Sequence, residues 1–417
     1  MHVWLVQLGE PVPGDLGSRQ YRTGYLAEAL ASRGHTVTWW TSSFSHYRKA
    51  HRTAASQRVV VSPGFAIEFL HAPGYRKNTS VSRLWFHHKI AREFRRRSVM
   101  MDTPSIVLAG FPTPGLADAA VRYGVQRGVP VVVDVRDLWP DVFMERVPTW
   151  LSGVLHLGLG RSRNRNRHIF SRSSGIVAIS SSYLRWALAH AGREAGASDR
   201  VVYLGYPEFR VDPGARNRAR AAWLERGVRP DAFVCCFFGT INHYFDIATV
   251  IDAARKFERD GTSGFQFVLC GEGHDLARYK TMASGLTSVT FPGWVDAAEI
   301  AALSELSRVG LAPYASTATM SLPNKPFEYF CAGLPVVSSL RGELASILTE
   351  GECGVSYAAG DSAALSAALA AFRANEPRRT LMGRNARRLY EERYSSERVS
   401  RDLMNHLESL VTPSMAT

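Results

Sequence analysis

The chain has 417 residues, 46% hydrophobic and 21% charged, and carries a formal net charge of +13 at pH 7. That length can bury two domain cores and the composition is that of an ordinary globular protein; low-complexity tracts and internal repeats are absent from the sequence. No apolar run approaches the roughly 18 residues that a spanning helix requires, and the charge asks for an anionic partner, whether nucleic acid, nucleotide-sugar or membrane surface.

The first strand begins at His2 with no charged leader or cleavage site before it, so the expected location is the cytoplasm. The cysteines at 235, 236, 270, 331 and 353 are odd in number, mostly in apolar stretches and without CxxC spacing. They read as buried thiols, with neither a disulfide framework nor a zinc site.

In chain order, strand-like apolar runs fall at 3–8, 36–41, 105–110, 129–135, 175–180 and 201–204. Between the first two, Tyr21, Tyr25, Leu26, Ala29 and Leu30 recur at helical spacing, and Gly34 stops that helix. The second half repeats the alternation, with strands at 233–238, 265–270, 289–291, 309–312, 335–338 and 354–357 and helices such as 247–257 and 361–373. Alternating elements with continuously apolar strands predict parallel sheets covered on both faces. Two runs of six strands predict an α/β protein of two doubly wound domains, with the boundary in the polar stretch 205–230. The expected domains are 1–205, 206–390, and a tail at 391–417 that packs back on the first domain. Such sheets bind ligands at the carboxyl ends of their strands, so functional residues are expected just after strands.

The most informative segment is Pro323-Asn324-Lys325-Pro326-Phe327-Glu328-Tyr329, continuing to Ala332-Gly333-Leu334-Pro335-Val336-Val337. A lysine and a glutamate at the start of a short helix suit a phosphorylated, hydroxylated ligand: Lys325 can neutralise a phosphate near the helix N-terminus, and Glu328 can accept hydrogen bonds from a ribose diol. By chemistry alone, a first-turn helix stabiliser beside a solvated lysine is an equal alternative. The segment resembles the donor-binding signature of retaining glycosyltransferase family 4, which has the GT-B fold of two Rossmann-like domains facing across a cleft. That family carries two glutamates eight positions apart; Glu328 matches the second, while Met320 stands where the first belongs.

The resemblance implies a hexosyltransferase-type activity that transfers a sugar from a nucleoside-diphosphate donor. It assigns Lys325 and Glu328 to the donor, with backbone near Ser321 and Leu322, and Asn324, beside them. It also implies donor contacts from Gly239 and Thr240 in a loop lacking the family's usual Arg and Lys, from Gly271 and Glu272 of a Gly-x-Gly turn, from Trp294 of Phe291-Pro292-Gly293-Trp294-Val295, and from Gly17 in the glycine loop after the first strand. The family works through front-face attack, the leaving phosphate accepting the acceptor proton, and normally without a metal; no cofactor or metal is expected. Asp134-Val135-Arg136-Asp137-Leu138-Trp139-Pro140-Asp141 resembles a bacterial surface-polysaccharide (O-antigen and capsule) branch of the family, as does Pro73-Gly74-Tyr75-Arg76-Lys77-Asn78. It places Asp134, Arg136 and Asp137, with Arg19, on the acceptor side as cleft-edge groups. Asp137 is grouped with Lys325 and Glu328 as catalytic, since an exposed carboxylate there can orient or deprotonate a hydroxyl; a helix-capping Asp–Arg pair is the alternative.

Two basic stretches lie in the first half. One holds Arg83, Lys89, Arg92, Arg95, Arg96 and Arg97 among Leu84, Trp85, Phe86, Ile90 and Phe94; the other holds Arg161, Arg163, Arg165, Arg167 and Arg172. Basic helices with aromatic residues suit an anionic membrane surface, and solvated helix faces are the alternative. The leading reading is a glycosyltransferase peripheral on the inner face of the cell membrane, using a UDP-sugar (an N-acetylated deoxysugar among the candidates) and a lipid-linked glycan in polysaccharide or lipopolysaccharide synthesis. Alternatives are a soluble small-molecule acceptor, a catalytically silent nucleotide-sugar binder, and a nucleic-acid-binding protein. For the last, no RNA or DNA module pattern is present, and no nucleic-acid partner is expected.

Overall fold

The computed structural model describes residues 1–15, 19–77, 80–141, 159–208 and 210–411. The chain divides into two compact units, Met1–Leu204 with Val399–Thr417, and Gly205–Arg398.

In the first unit the elements are β1 (His2–Val6), α1 (Arg22–Ser32), β2 (Thr36–Ser42), β3 (Phe44–Ser45), β4 (Ala50–His51), β5 (Gln57–Ser62), β6 (Phe65–Leu70), α2 (Val81–Ser98), β7 (Ile106–Phe111), α3 (Pro114–Arg127), β8 (Val131–Val135), α4 (Gly160–Arg172), β9 (Gly175–Ala178), α5 (Ser181–Ala191) and β10 (Arg200–Val201). Among the described residues one sheet has the order β10-β9-β8-β7-β1-β2-β6-β5, and β3 and β4 form a separate hairpin. Every pairing in the large sheet is parallel except β5 with β6.

The expectation of six strands here fell short, because β5 and β6 carry misleading patterns. Most of β5 is exposed at the sheet edge. The fully buried β6 is interrupted by Glu68, whose carboxylate is held by Arg58 at 3.3 Å and Arg97 at 3.0 Å. The strand order reverses at β1, which pairs in parallel with β2 on one side and with β7 on the other.

The second unit contains α6 (Pro213–Glu225), β11 (Phe233–Phe238), α7 (Ile247–Arg259), β12 (Phe265–Cys270), α8 (Leu276–Met282), β13 (Val289–Gly293), α9 (Ala297–Leu306), β14 (Val309–Ala312), α10 (Lys325–Cys331), β15 (Val336–Ser338), α11 (Glu343–Glu350), β16 (Gly354–Ser356), α12 (Ser362–Ala374) and α13 (Glu376–Leu389). A π-helical turn, Tyr390–Tyr394, leads into α14 (Ser396–Val411). The sheet order is β13-β12-β11-β14-β15-β16, all parallel. Counting strands within the unit, that is 3-2-1-4-5-6, the doubly wound order whose switch point lies between the first and fourth strands.

The stretch 205–230 is more than a linker: Asp212 caps α6 by accepting from the Ala215 amide, and Pro213 fills the first helical turn, where its missing N–H costs nothing. The tail divides later than 391. Tyr394 stacks on Phe327 within the second unit (4.3 Å between centroids), whereas Val399, Leu403, Met404 and Leu407 enter the core of the first. All five cysteines are free thiols, four of them buried.

Candidate functional site

At the switch point of the second sheet, strand ends and a helix start converge on a pocket of about 590 Å³. It is lined by Gly239 and Thr240 after β11, Cys270 to Gly273 after β12, Trp294 and Val295 after β13, Ile300 on α9, and Lys325 and Glu328 on α10, with Phe238 at the strand end. Backbone hydrogen bonds lace these turns together. The Gly239 amide donates to the Cys270 carbonyl at 3.0 Å and the Gly271 amide to Gly293 at 2.7 Å.

Close approach explains the glycines. A β-carbon on Gly239, at φ +154, would collide with Lys325 Nζ, and one on Gly271, at φ +137, would collide with the Gly239 carbonyl. The lysine side chain therefore lies directly against the turn. Its ammonium sits 4.7 Å from the Phe237 ring centre and 5.2 Å from that of Phe245. Aromatic faces attract a cation while replacing little of its hydration. Burial lowers the Lys325 pKa below the ordinary lysine value, with Glu328 acting in the opposite sense. The result is a cation aimed by packing and only partly solvated, a good partner for an anion that brings its own hydrogen-bond acceptors.

Glu328 is half-buried one turn further along α10. Its Oε1 accepts from the Tyr206 hydroxyl at 2.8 Å, and among the described residues no hydrogen bond to Oε2 is found. Sequence reasoning missed Tyr206: it lies in the expected linker, 122 positions from its partner, and nothing local marks it. Phe237 and Phe245, which aim Lys325, read only as apolar positions. Cys270 was legible as the end of a strand, Val295 as part of the Phe291–Val295 element and Gly273 as the second glycine of its turn, while nothing in the sequence marked Ile300.

Other residues of the same motif lie outside the lining. Leu322 is buried at 4% exposure. Ser321 donates from its hydroxyl to Glu343 at 3.4 Å, and Asn324 is exposed, its carbonyl accepting from the amides of Phe327 and Glu328. Trp294 borders the pocket with 71% of its surface exposed. Among the described residues, no group of three His, Cys, Asp or Glu side chains is placed to hold a metal ion.

In the first unit the structure corrects the acceptor-side assignment. Asp134 is completely buried rather than exposed. Arg22 approaches it at 3.2 Å and Arg136 at 2.8 Å; Arg136 also pairs with Glu10, which accepts from the Thr23 amide and hydroxyl at 3.0 and 2.7 Å. This chain of charges ties the loop after β1 and the start of α1 to the end of β8. Two carboxylates and two guanidinium groups are paired there away from solvent, so Asp134 and Arg136 brace the sheet edge and Asp134 presents no exposed carboxylate to an acceptor. Asp137 is half-buried, with Oδ1 accepting from the Leu138 amide at 2.7 Å. Arg19 is half-buried before α1. Gly17 lies outside the described residues, as does most of the apolar stretch before α4.

The first unit's fold and the second unit's site together define the class: an α/β, two-domain GT-B fold with parallel sheets and a candidate nucleotide pocket at a strand switch point. The family model described as Glycosyltransferase Family 4 matches residues 21–205, and the one described as Glycosyl transferases group 1 matches residues 232–375. Between them they cover well over half of the chain, which is a family-4-like glycosyltransferase. The solved structures agree in fold. Sucrose-phosphate synthase from Thermosynechococcus elongatus matches with a TM-score of 0.70 at 17% identity, over 98% of each chain. HepE of Anabaena, in complex with UDP, matches at 0.66 and 15%, over 98% of this chain and 99% of that one. WaaG, a glycosyltransferase involved in lipopolysaccharide biosynthesis, matches at 0.57 and 13%, over 98% and 100%. No curated protein matches the chain in sequence.

Proposed function

We propose that the protein transfers a sugar, with retention, from a UDP-linked donor to a lipid-linked glycan of a surface polysaccharide, at the cytoplasmic face of the cell membrane. The observation that carries the reading is the convergence of Lys325 and Glu328 on one pocket at the second sheet's switch point. In this assignment Lys325 and the strand-end turn at Gly239 and Thr240 meet the diphosphate, and Glu328 binds the ribose through the oxygen that Tyr206 leaves open. Positive charge held against the leaving phosphate favours the charge that develops as the glycosidic bond breaks. The leaving phosphate then takes the acceptor proton, with Asp137 as the acceptor-side carboxylate. Because Lys325 fills the role of counter-cation, transfer is expected to persist in the presence of a chelator.

Structures similar to this chain support UDP as the nucleotide: HepE of Anabaena was solved with UDP-glucose, and an E. coli trehalose-6-phosphate protein with UDP-2-fluoro glucose. A thermal-shift panel of UDP, GDP, dTDP and CMP tests the choice, with UDP expected to give the largest stabilisation. No shift with any nucleotide would overturn the donor assignment. N-acetylated deoxysugars linked to UDP are the first donors to assay, and release of the sugar to water would already exclude a silent binding protein.

The membrane part of the reading rests on α2. Phe86, Ile90 and Phe94 enter the core. The opposite face leaves Val81, Leu84 and Trp85 exposed near its start and Arg92, Arg95 and Arg96 further along, with Val99 and Met100 just beyond its end. Apolar and cationic groups on one solvent face complement an anionic bilayer surface. Arg97 departs from this role, since it is held by buried Glu68. No helix among the described residues is long and apolar enough to cross a membrane. A soluble acceptor is the second reading, favoured by the likeness to sucrose-phosphate synthase.

A further inference from the structure

In an open parallel sheet the ligand crevice forms where the strand order reverses, and two neighbouring strands of the second sheet part company there. β11 runs to Phe238 and β14 to Ala312, yet they pair only at Cys235 with Val309 and Cys236 with Gly310. Their outer neighbours follow them to the end: β12 pairs with β11 as far as Phe238 with Cys270, and β15 with β14 as far as Ala312 with Ser338. The parting is therefore confined to the switch point. One side chain of α10 bridges it. The Tyr329 hydroxyl accepts from the Phe238 amide at 3.3 Å and donates to the Leu311 carbonyl at 2.8 Å. A single hydroxyl thus joins an amide of β11 to a carbonyl of β14, where a continuing ladder would draw the strands together with a direct bond of about 2.9 Å.

The ring reaches this place because Gly310 makes room for it. Tyr329 is fully buried, and a β-carbon on Gly310 would collide with its ring. Without the hydroxyl, the Phe238 amide and the Leu311 carbonyl would each lose this partner in the interior, an unfavourable state for backbone groups. What stands on either side gives the bridge its importance. Tyr329 directly follows Glu328 and lies one turn after Lys325 on α10. Phe238 lines the pocket and precedes Gly239, the turn against which the Lys325 ammonium lies. The hydroxyl therefore ties the helix that carries both candidate donor groups to the strand end that the lysine packs against.

We propose that Tyr329 is a positioning residue of the donor site, a wedge that keeps β11 and β14 apart at their carboxyl ends and sets Lys325 and Glu328 against the turn at Gly239. The assignment rests on the donor reading above. A phenylalanine would fill the same space over Gly310, but the strand ends would then close on one another or α10 would lift. Either movement displaces the ammonium from the turn where the diphosphate is met.

The test is calorimetry with UDP and with uridine on the full chain and on Tyr329→Phe, at a temperature below the onset of melting of both proteins. The variant should lose about tenfold of its affinity for UDP and a smaller factor for uridine, which lacks the group that Lys325 meets. A tyrosine that only supported the fold would lower Tm and leave both affinities of the folded protein unchanged, and that result overturns the proposal. If the variant does not stay folded, 3-fluorotyrosine placed at position 329 keeps the ring and the hydroxyl. Its 19F resonance should then shift when UDP saturates the pocket, and an unmoved resonance overturns the proposal. Failure of the parent itself to bind UDP removes the donor reading and this assignment with it, whereas binding of equal strength in parent and variant removes the wedge alone.

Discussion

At the scale of single residues, the candidate donor site depends on one cation and one carboxylate, each aimed by a neighbour. Lys325→Ala removes the ammonium that lies against Gly239. Affinity for UDP should fall about ten- to a hundredfold, as expected for charge-assisted hydrogen bonds, while affinity for uridine changes little. Calorimetry with both ligands checks this, and equal losses would separate Lys325 from the phosphates. Glu328→Gln should weaken UDP binding more than any other carboxylate change in the second unit. Tyr206→Phe should have a smaller effect in the same direction, since it removes an aiming hydrogen bond and leaves the acceptor oxygens in place. Gly239→Ala is the sharpest geometric test. It deletes no group that could touch a nucleotide, yet its methyl would occupy the space of Lys325 Nζ, so UDP affinity should fall nearly as far as in Lys325→Ala.

At the scale of elements, α2 is one helix with two different faces. Its inward face, spaced at Phe86, Ile90, Phe94 and Ser98, is core, while its outward face is apolar near the start and basic further along. Within the basic run, Arg96 pairs with Glu93 at 2.8 Å, and Arg97 with Glu68 at 3.0 Å. A charge reversal at Arg97 would remove a partner of buried Glu68 and set a second carboxylate against it, and would report on folding rather than on lipid. The informative variant is therefore Trp85→Ser with Arg92→Glu and Arg95→Glu. Co-sedimentation with vesicles containing anionic lipid should fall several-fold in this variant, with UDP affinity unchanged. The parent's binding should weaken steeply between low and high salt, because exposed charges are screened beyond about 10 Å at 0.1 M. Equal sedimentation of parent and variant would reduce the stripe to a solvated helix face.

For the whole molecule, the division into two units separates stability from donor binding. The charge network of Glu10, Arg22, Asp134 and Arg136 lies entirely in the first unit, whereas every residue lining the candidate donor pocket lies in the second. Asp134→Ala leaves two buried guanidinium groups short of a partner, which costs about 3–5 kcal/mol by analogy with other broken buried pairs. Differential scanning calorimetry should show the transition of the first unit moving to lower temperature. UDP titration at 20–25 °C, on the order of room temperature where both units are folded, should be unaffected. A loss of UDP affinity in that variant would mean that the pocket is not self-contained in the second unit.

What the amino-acid sequence determined by itself was what short-range pattern can carry. The second unit's six strands were legible because they are short, mostly apolar runs between turn residues, and the Lys325–Glu328 motif because both residues stand on consecutive turns of one helix. Patterns mixed along the chain were harder. The exposed edge strand Gln57–Ser62 offers little apolar signal, and Glu68 breaks the alternation of the strand beside it, although its charge is paid off by arginines 10 and 29 positions away. The same distance hid the rest. Asp134 reads as an exposed carboxylate until Arg22, far earlier in the chain, is brought against it, and Tyr206 reads as linker until the fold sets its hydroxyl on Glu328. Local periodicity decides which residues form a strand or a helix, because those hydrogen bonds and faces are short-range. Which charge is buried with which partner, and which ring aims Lys325, depends on elements that meet only when the sheet closes, so the tertiary structure alone decided them.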